Sequence, residues 1–294
     1  MTRPTLLVDG NNLLYRAVEA TRRSAMNAPD GTSTSALVVF TSTLSRYIRE
    51  EKPYRVMICW DAGYGWRTRL HPGYKAARPQ HTDDYRSTSR DLVTGFLQRC
   101  RIPQARVDGF EADDLIAAYW RALDAPITIL SNDKDMLQMV GPNPAGQPCE
   151  QIRISSADTP TDRWDEAKVI EHFGCTPAQL PIAMSLAGDP GDGVPGVSGI
   201  GMKTAVKHLA KADWDLSAIT HPGIAAARDS GEIEVYRQLV DLRDTPTPVV
   251  LPLSVAPFIP VTPGPDDAWR DLYGFLSRYG MTRTINRLAS GELW

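Results

Sequence analysis

The stretch TLLVDGNN at residues 5–12 decides the fold that we predict for this chain. Thr5 to Val8 form a short, mostly apolar run of the kind found in buried β-strands. Asp9, Gly10 and Asn11 follow and favour a turn, and the residues after them are compatible with a helix. The stretch therefore predicts a strand, a turn and a helix in that order.

Further segments continue this alternation of strands and helices. Residues 35–51 carry apolar side chains at three- and four-residue spacing before Pro53, which predicts an amphipathic helix. The runs RVMICW at 55–60 and ITIL at 127–130 are typical of buried parallel strands, and 151–154 is a candidate for one more. We therefore predict an α/β fold with a mainly parallel central sheet flanked by helices.

The composition changes along the chain and suggests three parts. Residues 1–165 carry the alternating pattern and would form an α/β core. Residues 166–260 are mostly helical, apart from a glycine- and proline-rich segment at 188–201, and would form a separate lobe. A proline-rich stretch at 245–265 is interpreted as a linker or edge segment. Residues 261–294 are interpreted as a helical segment that packs on the core.

The overall composition limits the class of protein. The chain has 294 residues, of which 42% are hydrophobic and 23% charged, and this balance is typical of a globular protein with a sizeable core. We find no targeting segment and no apolar run long enough to cross a bilayer, so we expect a cytoplasmic protein without a membrane partner. The four cysteines and five histidines lack zinc-site spacing, so oxygen atoms would hold any metal.

Acidic residues follow the predicted strands at the point where each strand ends. Asp9 follows the first strand, Asp61 follows the second, and Asp133 lies three residues beyond the strand at 127–130. The carboxyl ends of parallel strands share one edge of a sheet, where ligands bind in such folds. Four more acids flank these positions: Glu111, Asp113, Asp114 and Asp135. The sequence thus predicts a cluster of carboxylates at that edge.

Such a cluster indicates a divalent-metal site. Carboxylates at short range repel one another unless cations offset their charge. Mg²⁺ prefers oxygen ligands, and two ions about 4 Å apart promote in-line displacement at phosphorus. Taken singly, each acid could equally be a helix cap, a turn residue or a first-turn acid. Their coincidence at one edge favours metal-dependent hydrolysis of phosphodiesters.

Six segments in this order resemble the 5′ nuclease family, which includes flap endonucleases and the 5′-to-3′ exonuclease domain of bacterial DNA polymerase I. They are VDGNN at 8–12, WD at 60–61, YKAARP at 74–79, FEADD at 110–114, DKD at 133–135 and GDPGDGVPG at 188–196. The resemblance implies a PIN-like nuclease core, a helical arch at about residues 62–100, and a helix-hairpin-helix lobe. It also implies a stand-alone nuclease of the kind found in bacteria and their phages.

The resemblance implies a role for each acid. Asp9 and Asp61 would be catalytic. The first metal would be surrounded by Asp9, Asp61, Glu111, Asp113 and Asp114. The second metal would be surrounded by Asp133, Asp135, Asp189 and Asp192. Two departures from the family pattern, Gly193 in place of a common Asn and Asn132 in place of a frequent Gly, remove no carboxylate.

Basic, aromatic and glycine residues would handle the nucleic acid. Cations offset phosphates and aromatic rings stack on unpaired bases, although a solvated charged loop is the alternative for the stretch after Asp61. By resemblance, Lys75 and Arg78 would contact the scissile phosphate as catalytic residues, and Tyr74 would stack on a base. The glycine-rich turn before a helix at 202 would bind backbone phosphate and K⁺. The residues implied there are Gly199, Gly201, Lys203 and Lys207.

Together these features predict a structure-specific 5′ nuclease that uses two or more Mg²⁺ ions, with Mn²⁺ as an alternative. The expected partner is DNA with a 5′ flap, a free 5′ end or a single-strand to duplex junction, and an RNA–DNA hybrid is a further candidate. The expected state is a monomer. Two alternatives stay open: a branched-DNA-binding protein with impaired catalysis, and another Mg²⁺-dependent phosphoryl-transfer enzyme such as a phosphatase.

Overall fold

The computed structural model of the chain describes residues 3–23, 26–78, 83–155, 159–246, 258, 261 and 263–294. Its strands are β1 (Thr5–Asp9), β2 (Arg55–Trp60), β3 (Gln104–Arg106), β4 (Ile127–Leu130), β5 (Gly141–Pro142), β6 (Pro148–Arg153) and β7 (Asp162–Trp164). Its α-helices are α1 (Gly10–Thr21), α2 (Ser35–Glu51), α3 (Gly65–Leu70), α4 (Asp84–Arg99), α5 (Ala112–Ala122), α6 (Glu166–Phe173), α7 (Leu180–Ala187), α8 (Met202–Lys211), α9 (Pro222–Asp229), α10 (Glu232–Val240), α11 (Asp267–Arg278) and α12 (Thr282–Ala289).

The strands form one mainly parallel sheet in the order β3-β2-β1-β4-β6-β5, with β7 also paired to β6. The central strand β1 pairs in parallel with β2 on one side and β4 on the other, so that Leu7 lies opposite Met57 and Ile129. Strands β3 and β6 extend the parallel sheet outward, while β5 and β7 run antiparallel to β6. The prediction of an α/β fold with a mainly parallel sheet is confirmed.

Helices cover both faces of this sheet. Leu6 and Val8 of β1 pack on one face, in an apolar cluster with residues of α1, α2, α4, α11 and α12. Leu7, which points to the opposite face, packs with residues of α5. Because both faces are covered, apolar residues occupy consecutive positions in β1, β2 and β4. This double burial is the physical reason that short apolar runs predicted these strands correctly.

A third apolar cluster forms the helical lobe. Leu186, Leu209 and Leu239 are among its buried members, from α7, α8 and α10. The cluster also includes Tyr74 and Leu137, so the lobe packs directly on segments of the core. The domain boundaries at 165 and 260 stay predictions, and residue 260 lies outside the described residues.

The predicted strands differ from the structure in the bounds of one strand and in three short strands that were not predicted. The strand expected at 151–154 is β6, which begins at Pro148 and ends at Arg153. Strands β3, β5 and β7 were not predicted, because runs of two or three residues carry too little periodicity. The proline-rich stretch at 245–265 lies mostly outside the described residues, as does Pro79 of the YKAARP segment.

The helical arch expected at 62–100 is only partly separate from the core. Helix α3 and the first turn of α4 lie beside the metal-site residues, but the second half of α4 is buried: Leu92, Val93, Phe96 and Leu97 belong to the core cluster. Residues 79–82 lie outside the described residues. No described helix is long and apolar enough to cross a membrane. The four cysteines are buried free thiols.

Candidate metal centre

A cavity of about 480 Å³ lies where strands β1, β2 and β4 end. Eight carboxylates line it: Asp9, Asp61, Glu111, Asp113, Asp133, Asp135, Asp189 and Asp192. Three cations share its lining: Lys75, Arg78 and Arg86. The structure thus brings together eight of the nine predicted metal-site acids and the two predicted catalytic cations. Acids from the sheet edge and acids from the lobe meet in one place.

Asp9 ends β1 and caps α1. Its Oδ1 accepts a hydrogen bond from the backbone N–H of Asn12 at 2.9 Å, and its Oδ2 accepts one from Ser131 Oγ at 2.9 Å. Burial raises the pKa of Asp9 to about 8, and repulsion from Asp61 adds to the effect. A carboxylate with this surrounding needs a nearby cation to stay ionised.

Asp61 follows β2 and is held from two sides. Its Oδ2 accepts a hydrogen bond from Asn11 Nδ2 at 2.6 Å, and its Oδ1 accepts one from the backbone N–H of Ala112 at 2.8 Å. Burial raises the pKa of Asp61, although the bond from Ala112 opposes the change. The first turn of α1 and the start of α5 therefore fix this carboxylate at the cavity wall.

A buried arginine organises the acids at the start of α5. Arg67 is 1% exposed, and its Nη1 lies 2.9 Å from both Glu111 Oε2 and Asp114 Oδ2, and 3.6 Å from Asp113 Oδ1. Asp114 is fully buried, does not line the cavity, and accepts a further bond from the backbone N–H of Glu111 at 3.0 Å. Arg67 thus offsets part of the charge of Asp114, but Asp114 Oδ1 is buried without a hydrogen-bond partner among the described residues, so the role of Asp114 as a metal ligand stays a prediction.

Tyr74 does not occupy the position of a base-stacking residue. It is 3% exposed, its hydroxyl donates to Glu111 Oε2 at 2.8 Å, and its ring packs edge-on against Tyr64 with centroids 5.7 Å apart. No face of the ring is open to a base in this structure. Tyr74 instead helps to orient Glu111, because the turn that carries it is packed into the lobe.

Lys75 and Arg78 lie in the cavity as predicted, and both contact its carboxylates. Lys75 Nζ pairs with Glu111 and lies 3.6 Å from Asp192 Oδ2, while Arg78 pairs with Asp192. The backbone N–H of Lys75 also donates to the carbonyl of Asp192 at 2.8 Å. The carboxylates of the cavity therefore hold Lys75 and Arg78 in positions from which both side chains would contact a phosphate that lies between them.

The acids after β4 form a second group. Asp133 Oδ1 accepts from the backbone N–H of Asp135 at 3.0 Å, and Gln151 holds the carbonyl of Asp133 at 2.8 Å. Lys134 Nζ lies 2.8 Å from Asp189 Oδ2, so Lys134 pairs with a carboxylate. Burial raises the pKa of both Asp133 and Asp135. Asp135 Oδ1 is buried and has no hydrogen-bond partner among the described residues.

These donors fit hard divalent cations. A buried carboxylate oxygen without a donor is costly unless a cation contacts it, and Asp135 has such an oxygen. Within the described ranges, no three acids are already gathered closely enough to hold one ion by themselves. Mg²⁺ suits this arrangement, because it keeps several waters and takes only a few carboxylates.

Gly193 explains one departure from the family pattern. Its φ is +70°, and a Cβ built on it would lie 2.3 Å from the carbonyl oxygen of Gly73. Only glycine allows the lobe loop to approach the turn at 71–78 so closely. A side chain at this position would push Lys75 away from Asp192, since the two segments are joined by the hydrogen bond between these residues.

The predicted duplex-binding residues lie outside the cavity. Gly201 is the N-cap of α8, and no side chain caps this helix end. Gly199 has a φ of +77°, and nothing lies within 4 Å of a Cβ built on it. Lys203 and Lys207 are exposed on α8. These four residues form an open surface in the lobe, separate from the acids.

Several residues of the site were not predicted. Arg67 lies in the basic stretch after Asp61 that is predicted to contact nucleic acid, but its side chain is buried. Asn11 and Ser131 adjoin motif acids and hold them, a role that adjacency could have indicated. Tyr15, which was not predicted, lines the cavity from α1, and Arg86 of the predicted basic stretch lines it from α4. The position of Tyr15 one helical turn after Asn11 was an available signal.

In chelator, we expect the thermal stability to fall as pH rises from about 5.5 to about 8. Asp9 has a pKa of about 8 in the folded protein against an ordinary value of 3.8, so the folded state binds the extra proton across this window. Raising the pH removes that proton and leaves charges that repel. Each 1 kcal/mol lost shifts Tm by roughly 2–4 °C, so we expect a fall of several degrees by scanning fluorimetry.

Two controls define this pH effect. Asp9→Asn should reduce the pH dependence, and saturating Mg²⁺ should reduce it in the parent protein. A melting temperature in chelator that stays constant or rises over the same window would contradict the expectation.

The chain matches known proteins along most of its length. Residues 4–174 match the family model described as the 5′-3′ exonuclease, N-terminal resolvase-like domain. A 5′-3′ exonuclease of Streptomyces coelicolor is 30% identical, over 88% of this chain and 83% of that protein. DNA polymerase I of Mycobacterium bovis is 30% identical over 83% of this chain, which spans only 28% of the polymerase.

A solved structure shares the fold. The bacteriophage T5 D15 flap endonuclease, in a pseudo-enzyme-product complex with DNA and metal ions, superposes with a TM-score of 0.64 at 19% sequence identity. The match covers 82% of this chain and 90% of the T5 protein. This chain belongs to the 5′-3′ exonuclease family.

Proposed function

We propose that this chain is a structure-specific 5′ nuclease that hydrolyses DNA phosphodiesters with the help of divalent metal ions. The observation that carries the proposal is the single cavity in which eight carboxylates meet three cations. The carboxylates suit metal ions and the cations suit a phosphate, so the lining matches a metal-dependent reaction at phosphorus. Membership of the 5′-3′ exonuclease family supports the same activity.

We assign the metal ligands in two groups. Asp9, Asp61, Glu111 and Asp113 would hold one ion, and Asp133, Asp135, Asp189 and Asp192 would hold another, directly or through water. When bound, such ions offset the negative charge that develops at the phosphorus centre and lower the pKa of water. Mg²⁺ is the proposed ion and Mn²⁺ the alternative, because both accept oxygen ligands.

The side chains of the protein orient the reacting groups. Asn11 and the backbone N–H of Ala112 hold Asp61, while Ser131 holds Asp9. Lys75 and Arg78 would exchange their carboxylate partners for the scissile phosphate once cations neutralise those carboxylates. Both would then donate hydrogen bonds to phosphate oxygens, which carry most of the developing charge.

The lobe would hold the duplex beside the cavity. The uncapped start of α8 at Gly201 offers backbone N–H groups to a phosphate, and Lys203 and Lys207 add positive charge on the same helix. Gly199 lies in the open turn before this helix, where K⁺ would bind. Such contacts bind the backbone without reading base sequence.

The finer substrate assignment follows from these proposals. DNA with a 5′ flap, a free 5′ end or a single-strand to duplex junction would place duplex on the lobe and the cut strand in the cavity. An RNA–DNA hybrid is a second candidate substrate, since the proposed contacts reach only the backbone. We further propose that the protein acts as a monomer in the cytoplasm.

One assay tests the activity against its alternatives. A 5′-labelled flap duplex, a 3′-flap duplex, an RNA–DNA hybrid and a small phosphomonoester are incubated with Mg²⁺, with Mn²⁺ and with chelator. We expect cleavage of the 5′ flap that chelator abolishes, and product length shows whether the cut is at the junction or stepwise from the end. Flap binding without cleavage would indicate a branched-DNA-binding protein, and hydrolysis of the phosphomonoester alone would indicate a phosphatase.

A further inference from the structure

Arg86 differs from the other two cations of the cavity. Lys75 and Arg78 each pair with a carboxylate of the lining, Glu111 or Asp192. Across the described parts of the chain, no carboxylate lies within 4.0 Å of the Arg86 guanidinium. A phosphate that enters the cavity would therefore meet Arg86 without first displacing another partner.

Arg86 is held against an aromatic ring. Its guanidinium carbon lies 5.6 Å from the ring centroid of Tyr15, which is 50% exposed on α1 and lines the same cavity. A guanidinium near an aromatic ring is attracted by the electrons of the ring and keeps its planar donors free for a further partner. Tyr15 therefore serves as a platform that limits where the Arg86 donors can point.

The first turn of α4, which carries Arg86, is fixed to α1. The hydroxyls of Tyr85 and Thr21 lie 2.8 Å apart, and Arg22 Nη2 lies 2.6 Å from Asp83 Oδ2. These contacts come from residues just before Arg86 and join the start of α4 to the end of α1. The position of Arg86 at the cavity is thus set by the fold and does not depend on a substrate.

The excess of negative charge in the cavity lining indicates a role for Arg86. The lining carries eight carboxylates against three cations, so a DNA strand needs cationic contacts to approach it. Arginine presents a rigid fork of donors that matches two oxygens of a phosphate. A phosphodiester next to the scissile one fits this description, because Lys75 and Arg78 both contact Asp192 of the lobe, whereas Arg86 contacts Tyr15 on α1.

We propose that Arg86, supported by Tyr15, binds a phosphate of the cut strand adjacent to the scissile phosphate. The site recognises a phosphodiester by charge and fork geometry, without reading the base. It rests on the proposed nuclease function, since it assigns a substrate contact to the same cavity. Arg86 is a binding residue in this account, and the contact forms before the reaction and persists through it.

The test compares Arg86→Ala with Arg283→Ala, an exposed arginine on α12 outside the cavity lining. On the 5′-flap duplex with Mg²⁺, Arg86→Ala should raise KM about tenfold while kcat changes little, which is the pattern of a contact made equally in ground and transition states. The dependence of log Kd on log salt should become shallower by about one phosphate contact. Arg283→Ala should match the parent protein in both measurements.

A neutral phosphate locates the contact. In each of a set of flap duplexes, one phosphate beside the cleavage position is replaced by a methylphosphonate. At one of these positions the replacement should weaken DNA binding by the parent protein but should not weaken binding by Arg86→Ala any further. Arg86→Lys keeps the positive charge without the forked guanidinium, so its DNA affinity should lie between those of the parent protein and Arg86→Ala. Tyr15→Leu should reproduce part of the loss of DNA affinity that is expected for Arg86→Ala.

The outcomes are distinguishable. An unchanged KM and salt slope in Arg86→Ala, or methylphosphonate effects that simply add to the substitution, would overturn the proposal. So would a lowered Mg²⁺ requirement with unchanged KM, which would mean that Arg86 only offsets the charge of Asp61. If the parent protein does not cut the flap, the proposed function fails, while Kd values measured in chelator still decide the Arg86 contact.

Discussion

Replacing Asp61 by asparagine should reduce flap cleavage by at least about a thousandfold while leaving DNA affinity within a few-fold of the parent value. Asparagine keeps the size of the side chain and can still accept the hydrogen bond from Ala112. What it removes is a negative charge at the cavity wall, which a metal ion needs and a phosphate does not. Single-turnover cleavage and anisotropy binding of one 5′-flap duplex measure the two effects separately.

The matched control is Asp108→Asn, in the exposed segment shortly before Glu111 and outside the cavity lining. It should cleave and bind like the parent protein. Melting curves in chelator show whether Asp61→Asn is folded. A variant that is folded and still cuts at the parent rate would remove Asp61 from the metal site, and parallel loss of cleavage, binding and melting temperature would indicate misfolding.

Arg67→Met should destabilise the protein by about 3–5 kcal/mol, because it leaves buried carboxylates without their partner. Methionine fills much of the same space, so lost packing is a small part of the effect. Arg67 contacts Glu111 and Asp114 at 2.9 Å and donates to the carbonyl of Leu239 at 3.1 Å, which joins the core to the lobe. We expect Tm to fall by about 10 °C.

Arg69→Met provides the comparison for Arg67, since it removes an exposed arginine from the same helix. Its effect should stay within about 0.5 kcal/mol. The double variant Arg67→Met/Asp114→Asn should regain part of the lost stability, because one of the unpaired charges is removed with its partner. A melting temperature for Arg67→Met equal to that of Arg69→Met would show that the buried ion pairs contribute nothing.

The central strands and the membership of the acid cluster could be predicted from the sequence for a clear physical reason. Strands buried on both faces are continuous apolar runs, and the carboxyl ends of parallel strands share one edge. Asp9, Asp61 and Asp133 therefore had to meet if the runs before them were strands. The resemblance to 5′ nucleases then added Asp189 and Asp192, whose place in the cavity depends on how the lobe packs.

The environment of each side chain could not be predicted in the same way. Arg67 and Arg86 are both arginines in one basic stretch, but one is buried among carboxylates and the other is exposed at the cavity. Asp114 belongs to the same acidic motif as Glu111 and yet does not line the cavity. Tyr74 is buried because its turn packs on the lobe. These differences arise from tertiary contacts between segments that lie from about 40 to more than 170 residues apart in the sequence.

The hydrogen bond from Arg67 to Leu239 bears on the synthesis of the chain. A growing polypeptide of 192 to 238 residues has all eight acids of the cavity but lacks the carbonyl group of Leu239 that completes the surroundings of Arg67. Gln138 likewise donates to the carbonyl of Val240 and accepts from the backbone N–H of Leu242. All eight acids of the cavity therefore leave the ribosome before the segment whose backbone holds Arg67 and Gln138 has been made.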